Sequence, residues 1–345
     1  MSLPSTMTVP QFIGDGDIRW TEKPVPEPGT GQLLLQVKAN ALCGTDRYQY
    51  RNGSPDVTPG HEVAGVVVGN GVRTTTPVGT LGVVYIMIFC GACRSCRLGH
   101  TNQCHDKRGD IGFSRDGGLG PYALVDERTF FPVGADLGAA EATLLLDVMG
   151  TTRHAIARAQ AVRNDIETIL VARAGPVGLG LVAMAKVVLG EGVKVFVADR
   201  TRFRLDLVEK LGGIAVSLCE ADVDDVLRSH RLDQVDVAFD ASGRDEARQL
   251  CLRSLGARGV LVCMAHGRDP DIRLRVSADL IGPERAVLGS EYFRYDELAL
   301  NLPVLRAQTA YFAQILTHRF PLADLPTAFE SFLSSKTGKV LIEHG

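Results

Sequence analysis

Four of the eight cysteines of this chain lie in one short segment, with the spacing C-x2-C-x2-C-x7-C. Four thiolates bind Zn²⁺ in a closed tetrahedron that leaves no position for a substrate. Repeated C-x2-C spacing is a specific signal for a metal site, whereas four unmodified thiols in one loop would have no evident purpose. We therefore predict a structural zinc site that is formed by Cys90, Cys93, Cys96 and Cys104.

A second set of potential metal ligands is dispersed along the chain. Cys43 follows a predicted strand, and His61 comes shortly after it in Gly-His-Glu. A catalytic zinc needs three protein ligands and one open position. Asp147 is the candidate third ligand, because a carboxylate within an apolar run is costly to bury unless it is paired or bound to a metal. The alternative is that Asp147 caps the helix that follows it.

A glycine-rich turn between a predicted strand (168–172) and a predicted helix (176–189) is typical of a dinucleotide site. The helix begins at Pro176 and Val177, and its amino terminus offers N–H groups and a favourable dipole to a pyrophosphate. Gly175 allows the backbone to approach that anion, and Gly178 allows helix and strand to pack closely. The alternative is an ordinary α/β turn.

The residues around this turn bear on which nucleotide binds. Asp199 ends the next strand, where a carboxylate accepts from the ribose hydroxyls of NAD and repels a 2′-phosphate. Arg173 replaces the usual first glycine, so that it either strains the turn, pairs with the pyrophosphate or weakens nucleotide binding. Arg200 and two further arginines follow Asp199, so NADP is not excluded. We favour NAD, with Arg173 and Arg200 among the cofactor-binding residues.

The elements that must position these residues change character near residue 144. The first part reads as β-rich, with strands at 33–39 and 63–68, whereas apolar strands alternate with helices from residue 166 onward. Such alternation predicts a parallel sheet with right-handed crossovers. The tail carries a predicted long helix at 298–317 and a final strand at 338–342. We predict one domain from 1–149 and 285–345, which includes the zinc loop 90–104, and a nucleotide-binding domain at 150–284.

The motifs occur in a characteristic order: Cys43-Gly44-Thr45-Asp46, Gly60-His61-Glu62, the cysteine cluster, the glycine-rich turn and the closing 338–342. In this order the chain resembles the zinc-containing medium-chain dehydrogenases of alcohols and polyols over essentially its whole length. The resemblance implies an α/β protein with a GroES-like β-rich catalytic domain and a Rossmann domain with a doubly wound parallel sheet. It also implies a homodimer or homotetramer.

The resemblance implies roles for individual residues. Cys43 and His61 would bind the catalytic zinc, with Asp147 in the position of the third ligand, and Glu62 would lie beside the metal as a transient ligand. Asp46 would orient the zinc-bound histidine. Thr45 would take the proton of the substrate hydroxyl, although its own hydroxyl can also simply close a local turn.

The expected activity is oxidation of a secondary alcohol, polyol or sugar hydroxyl, including that of a cyclitol or aminosugar, by hydride transfer to NAD. The expected cofactors are two Zn²⁺ per chain, one catalytic and one structural. Two alternatives remain, namely a zinc-independent quinone or enone reductase of the same superfamily and a non-catalytic nucleotide-binding zinc protein. The metal ligands argue against a zinc-independent reductase. Thr45 argues against a non-catalytic protein, whereas Arg173 favours one.

Composition excludes other classes of function. Lys and Arg number 37 against 40 Asp and Glu, a net charge of −3, which does not suit nucleic-acid binding. The longest apolar stretch, at 82–90, is too short to span a membrane. The opening residues lack a basic and apolar leader, so we expect a cytoplasmic protein that acts on a small molecule.

Overall fold

The structure is a computed structural model that describes residues 3–54, 56–267 and 272–345. The chain divides into two units, each with its own core. The first unit comprises Met1–Leu146, Arg294–Ser334 and Lys339–Gly345, and the second comprises Asp147–Phe293 and Ser335–Gly338.

Strands dominate the amino-terminal part of the first unit. They are β1 (Thr6–Gly14), β2 (Asp17–Pro24), β3 (Gln32–Ala41), β4 (Glu62–Asn70), β5 (Leu81–Val84), β6 (Tyr122–Asp126) and β7 (Phe130–Pro132). The helices between and after them are short: α1 (Asp46–Asn52), α2 (Arg94–Arg97) and α3 (Ala139–Ala142).

Helices and strands alternate through the second unit. The helices are α4 (Thr152–Gln160), α5 (Pro176–Leu189), α6 (Arg202–Lys210), α7 (Val223–Ser229) and α8 (Asp245–Arg253). The strands are β8 (Thr168–Ala172), β9 (Lys194–Asp199), β10 (Ile214–Ser217), β11 (Val235–Asp240), β12 (Leu255–Cys263) and β13 (Ala286–Gly289).

The remaining elements belong to the first unit again. They are the helices α9 (Glu297–Ala307), α10 (Thr309–Ala313) and α11 (Leu325–Leu333), and the strands β14 (Leu316–Pro321) and β15 (Lys339–Glu343). In the described part of the chain, no helix is both long and apolar enough to cross a membrane.

The main sheet of the first unit has the strand order β14-β15-β3-β4-β5-β7, with β6 also paired to β3. Alternation along β3 turns Leu33, Leu35 and Val37 to one face, where they pack with Val63 and Val67 of β4. The loops that follow β3 and precede β4 carry Cys43 and His61, so this strand pair determines where the two residues lie.

The sheet of the second unit is parallel, with the described strands in the order β10-β9-β8-β11-β12-β13. Numbered along the chain, this is the doubly wound order 3-2-1-4-5-6. Every residue of β8 is buried, as expected for a central parallel strand that is covered on both faces. The predicted Rossmann-type sheet is confirmed.

The prediction of one long helix at 298–317 is wrong at its carboxyl end. Helix α9 ends at Ala307, Gln308 leaves the helical region with φ −132°, and the short α10 follows. Leu316 and Thr317 instead begin β14, which pairs in parallel with β15. Pairing with β15 determines the extended conformation of this segment, and the local sequence pattern does not reveal that pairing.

Candidate metal centres and nucleotide site

Asp46 holds Cys43 and His61 together. Its Oδ2 accepts the backbone N–H of Cys43 at 2.7 Å, and its Oδ1 lies 3.1 Å from His61 Nδ1. Gly60 precedes the histidine with φ +97°, and a Cβ there would lie 2.7 Å from Asn40 Oδ1 and 2.8 Å from the N atom of Leu119. The carboxylate therefore orients the imidazole through Nδ1, which leaves Nε2 for a ligand, and the glycine allows the backbone to approach closely.

The Nε2 edge of the imidazole lies next to a hydroxyl. Thr45 Oγ1 lies 3.4 Å from His61 Nε2, and the ring of Phe113 packs against the imidazole with 5.0 Å between centroids. Burial disfavours the charged form of His61, but the charge and hydrogen bond of Asp46, together with Cys43, raise its pKa well above the ordinary value. His61 is buried, whereas Cys43 beside it is half-buried and Thr45 is exposed.

Glu62 and Lys339 form a fully buried ion pair within the first unit. Lys339 Nζ donates to Glu62 Oε1, and the two side chains are 1% and 0% exposed. Strand β15 supplies the lysine, and β4 supplies the glutamate directly after His61. The lysine therefore determines where the Glu62 carboxylate lies relative to the cysteine and histidine.

Asp147 is the first residue of the second unit. Its carboxylate is 5% exposed and accepts a hydrogen bond from the Thr151 hydroxyl at 3.4 Å, within a π-helical segment at 146–151. The alternative that Asp147 caps the next helix does not match the structure, because the residue before α4 is Thr151. π-Helical turns are frequent at functional sites.

Four side chains form a potential metal-ligand group: Cys43, His61, Glu62 and Asp147. Their ligand atoms all lie within 4.8 Å of one another, although the residues come from three separate parts of the sequence. A thiolate, an imidazole and carboxylates are ligands that suit zinc, and three of them leave one position open. The donor set therefore fits a catalytic zinc.

The second potential metal-ligand group consists of Cys90, Cys93, Cys96 and Cys104. Zn–S bonds of about 2.3 Å place tetrahedral sulfurs about 3.8 Å apart. The Sγ atoms of Cys90 and Cys96 are 3.9 Å apart, and those of Cys93 and Cys104 are 4.0 Å apart. This spacing fits a tetrahedral zinc and is too long for disulfides, which join sulfurs at about 2 Å.

The backbone around this cluster favours thiolates at some positions. Backbone N–H groups of Cys96 and His105 lower the pKa of Cys93 to about 6. Backbone N–H groups of Ala92 and Cys93 likewise lower the pKa of Cys90, whereas burial raises that of Cys96 to about 12. A bound cation would favour the thiolate form of Cys96, so metal binding there releases a proton.

The glycine-rich turn has the predicted position between β8 and α5. Helix α5 begins at Pro176, Gly175 precedes it in extended conformation, and a Cβ on Gly175 would meet nothing within 4 Å. A Cβ on Gly178 would lie 2.0 Å from the carbonyl oxygen of Arg173, so this position requires glycine. Val177 follows in the first turn of the helix, whose N–H groups are available to an anion.

Asp199 is held at the end of β9 by three backbone N–H groups. Its Oδ2 accepts from Ala174 at 2.8 Å, and its Oδ1 accepts from Arg200 at 2.7 Å and Thr201 at 2.8 Å. The carboxylate is 7% exposed and adjoins the glycine-rich turn, where the sequence predicted it. Arg173 lies in the same turn with φ +92°, a conformation that residues with a Cβ rarely adopt.

Comparison with known families agrees with both units. A model of the alcohol dehydrogenase GroES-like domain matches residues 29–135, and a zinc-binding dehydrogenase model matches residues 176–305. The L-threonine 3-dehydrogenase of Chromobacterium violaceum is 28% identical over 341 residues, covering 94% of this chain and 96% of the relative.

Solved structures of similar proteins show the same fold. The RspB alcohol dehydrogenase of Escherichia coli CFT073, in complex with NADH, has a TM-score of 0.87 at 22% identity and covers 99% of this chain and 100% of its own. A zinc-binding dehydrogenase of Sinorhizobium meliloti 1021, bound to NADP, has a TM-score of 0.87 at 24% identity, with the same coverage.

The chain belongs to the zinc-containing medium-chain dehydrogenase family. It is an oxidoreductase of the alcohol dehydrogenase type, with a GroES-like domain and a Rossmann-type domain, as the sequence predicted. The family match and the four-cysteine cluster also support the predicted zinc.

The sequence motifs do not reveal one buried charge beside the candidate catalytic centre. Lys339 belongs to the closing strand, to which the motifs assign no role, and they predict no partner for Glu62. A lysine at the start of an apolar strand was the available signal, since a buried ammonium requires a counter-ion.

Proposed function

We propose that this protein is a zinc-dependent dehydrogenase that oxidises a secondary alcohol, polyol or sugar hydroxyl to a carbonyl, with a nicotinamide dinucleotide as hydride acceptor. The observation that carries the proposal is the group of ligand atoms from Cys43, His61, Glu62 and Asp147 within 4.8 Å. The Thr45 hydroxyl, 3.4 Å from His61 Nε2, lies beside this group.

In this proposal Cys43, His61 and Asp147 hold the catalytic zinc. Asp46 keeps His61 in the orientation that presents Nε2, as its 3.1 Å contact with Nδ1 supports. When bound, zinc acts as a Lewis acid on the substrate oxygen, and the nicotinamide accepts the hydride from the carbinol carbon. Glu62 remains beside the metal, held by Lys339.

Thr45 removes the substrate proton in this scheme. Its hydroxyl both donates and accepts hydrogen bonds, and Thr45 is exposed, so it can take a proton from the substrate oxygen while it passes its own to solvent. Backbone geometry fixes its position, because Thr45 directly precedes α1 and the buried Asp46 anchors that helix. The exposed Tyr48 lies one turn further along α1, where some members of the family have a relay histidine.

A secondary alcohol is the favoured substrate class. The curated relative named above acts, by its name, on position 3 of L-threonine, and that hydroxyl is on a secondary carbon. At 28% identity the particular substrate does not transfer, so the proposal covers amino alcohols, polyols and sugars. The cytoplasmic location and the homodimer or homotetramer stay predictions.

Zinc content per chain, measured on protein purified without chelator, tests the proposal together with turnover on a panel of secondary alcohols. We expect two zinc ions per chain in the wild type and one in Cys43→Ala. In Asp147→Asn the catalytic zinc should bind more weakly. Turnover should disappear in Cys43→Ala. Cys219→Ala is the matched control, because Cys219 is exposed and outside both clusters.

Three results would contradict the proposal. Full zinc content or normal turnover in Cys43→Ala would exclude this residue as a catalytic ligand. Zinc-free wild-type protein that reduces quinones or enones would favour the zinc-independent alternative. One zinc per chain that remains one after zinc is added back, with no turnover, would favour a non-catalytic protein.

A further inference from the structure

A buried ion pair lies at the carboxyl end of β11, in the second unit. Arg248 Nε donates to Asp240 Oδ2 at 2.8 Å, and the two side chains are 12% and 0% exposed. Asp240 is the last residue of β11, and Arg248 comes from the helix α8 that follows this strand. A buried charge is costly unless it is paired and hydrogen-bonded, so such a pair at this edge of the sheet requires an explanation.

The other oxygen of the Asp240 carboxylate holds the loop that follows β11. Asp240 Oδ1 accepts from the backbone N–H of Ser242 at 2.9 Å, from the Ser242 hydroxyl at 2.8 Å and from the N–H of Gly243 at 3.0 Å. Hydrogen bonds of this kind replace backbone pairing in a turn and fix the path of the chain. The Asp240 carboxylate therefore determines the conformation of the loop between β11 and α8.

Arg248 extends the same interaction to the loop that follows β12. Its Nη2 donates to the carbonyl oxygen of Ala265 at 2.9 Å. The two loops also approach each other closely, because a Cβ on Gly243, which has φ +67°, would lie 2.3 Å from the carbonyl oxygen of His266. One ion pair thus joins the loops that follow two adjacent strands, β11 and β12.

These loops lie where a doubly wound sheet binds its ligand. Asp240 is in register with Ala172, the last residue of β8, and β8 and β11 are the neighbouring strands at which the strand order reverses. Ligands of such sheets bind outside the carboxyl ends of the strands at this point, and a dinucleotide spans both halves of the sheet. The glycine-rich turn belongs to the half formed by β8, β9 and β10, whereas Asp240 and Arg248 belong to the half that contains β11, β12 and β13.

We propose that Asp240 and Arg248 are positioning residues, which hold these two loops in the conformation that binds the nicotinamide half of the dinucleotide. The inference rests on the proposed function, since it requires a nicotinamide dinucleotide at this sheet. The carboxylate and the guanidinium bond to groups of the protein itself, so the pair acts by ordering the loops and not by contact with the nucleotide. Binding to loops that are already ordered avoids the loss of free energy that ordering them would cause.

Stability of the second unit is the competing role for this pair, and another ion pair of the same unit separates the two roles. Arg163 Nη2 lies 2.5 Å from Asp236 Oδ1, and the two side chains are 13% and 18% exposed. Asp236 lies at the opposite edge of the sheet, where it accepts from the N–H groups of Glu167 and Thr168 at the start of β8. Loss of either pair should lower stability, whereas only loss of the pair at the carboxyl ends should change nucleotide binding.

The test measures Kd for NADH, NADPH and adenosine 5′-monophosphate on the full-length, zinc-loaded protein by titration calorimetry. Arg248→Met should weaken NADH and NADPH alike by about 10- to 100-fold, because the loops must then be ordered when the nicotinamide half binds. The monophosphate lacks that half, so its Kd should change by less than about threefold. Arg248→Lys keeps the charge but lacks the planar fork that bonds to two acceptors. This milder variant should weaken both dinucleotides by about three- to tenfold and leave the monophosphate unchanged.

Arg163→Met is the matched control, because it removes a pair of similar burial from the same unit. It should lower the urea midpoint, followed by circular dichroism, and leave all three Kd values unchanged. Unchanged dinucleotide affinity in both Arg248 variants would overturn the inference. Equal weakening of NADH and the monophosphate, or the same weakening in Arg163→Met, would overturn it as well, since loss of stability would then explain the effect. A wild type that binds neither NADH nor NADPH would instead overturn the proposed function, which makes the two failures distinguishable.

Discussion

Replacing Lys339 with methionine should destabilise the first unit by about 3–5 kcal/mol, because removal of one partner from a buried ion pair takes the direct counter-ion from the other. Both members of the pair are almost fully buried, at 0% exposure for Glu62 and 1% for Lys339. Methionine keeps the apolar stem, so the loss reflects the charge and its hydrogen bond. Domains are stable by about 5–15 kcal/mol, so the variant should fold with a small remaining margin.

Urea unfolding followed by tryptophan fluorescence measures this effect within the first unit alone. Trp20 is the only tryptophan of the chain and lies in β2 of that unit. With a urea dependence of about 2 kcal/mol/M, the expected loss moves the midpoint by about 1.5–2.5 M. Zinc concentration is held constant in all samples, because a ligand of the folded state shifts the apparent stability.

Lys107→Met is the matched control for this variant. Lys107 pairs with Asp110 at 2.8 Å, but the two side chains are 39% and 25% exposed. Such a pair contributes about 0–1 kcal/mol, so its midpoint should hardly move. If Lys339→Met moved the midpoint no further than Lys107→Met does, the reasoning would be refuted. It would also be refuted if the double variant Glu62→Gln/Lys339→Met were less stable than Lys339→Met, since removal of both charges should recover stability.

Two further predictions concern other parts of the first unit. Cys96→Ser should remove the structural zinc and leave the catalytic zinc, whereas the control Cys219→Ser should keep two zinc ions per chain. A zinc content that Cys96→Ser leaves unchanged would exclude the four-cysteine site. Burial lowers the pKa of His344 to about 4, below its value of 6.5 in the unfolded chain, so the unfolded state binds more protons between these pH values. The free energy of unfolding should therefore fall by up to about 3 kcal/mol as the pH decreases from 6.5 to 4. Urea unfolding at several pH values measures this, and His344→Gln should make the free energy of unfolding depend less on pH. An identical pH profile in the variant would contradict the prediction.

Elements with strong local signals could be predicted from sequence. The strand Thr168–Ala172 and the helix Pro176–Leu189 have the predicted ends, because an apolar run, a glycine-rich turn and a proline at the helix start mark them locally. β14 could not be predicted in the same way, because its conformation depends on pairing with β15, a strand beyond the intervening helix α11.

The candidate site shows the same division. Residue types and spacing predicted two groups of potential metal ligands whose atoms lie together in the structure, since thiols, imidazoles and carboxylates in these motifs have few other uses. Spacing did not identify the partner of Glu62, because Lys339 is far away in the sequence and only the pairing of β15 with β3, next to β4, brings it there. Contacts of this kind depend on sheet topology.

Lys339 is a buried cation and Arg173 is a half-buried one, and the two require different explanations. The cost of burying Lys339 is offset within the chain, because the Glu62 carboxylate contacts it directly, so stability measurements are the appropriate test. For Arg173 no described residue provides such a contact, and the backbone is strained in addition. Asp199 opposes this charge electrostatically, and the pyrophosphate of a dinucleotide, which binds at such a turn, would oppose it further. Nucleotide affinity, and not stability, is therefore the quantity that Arg173 should control.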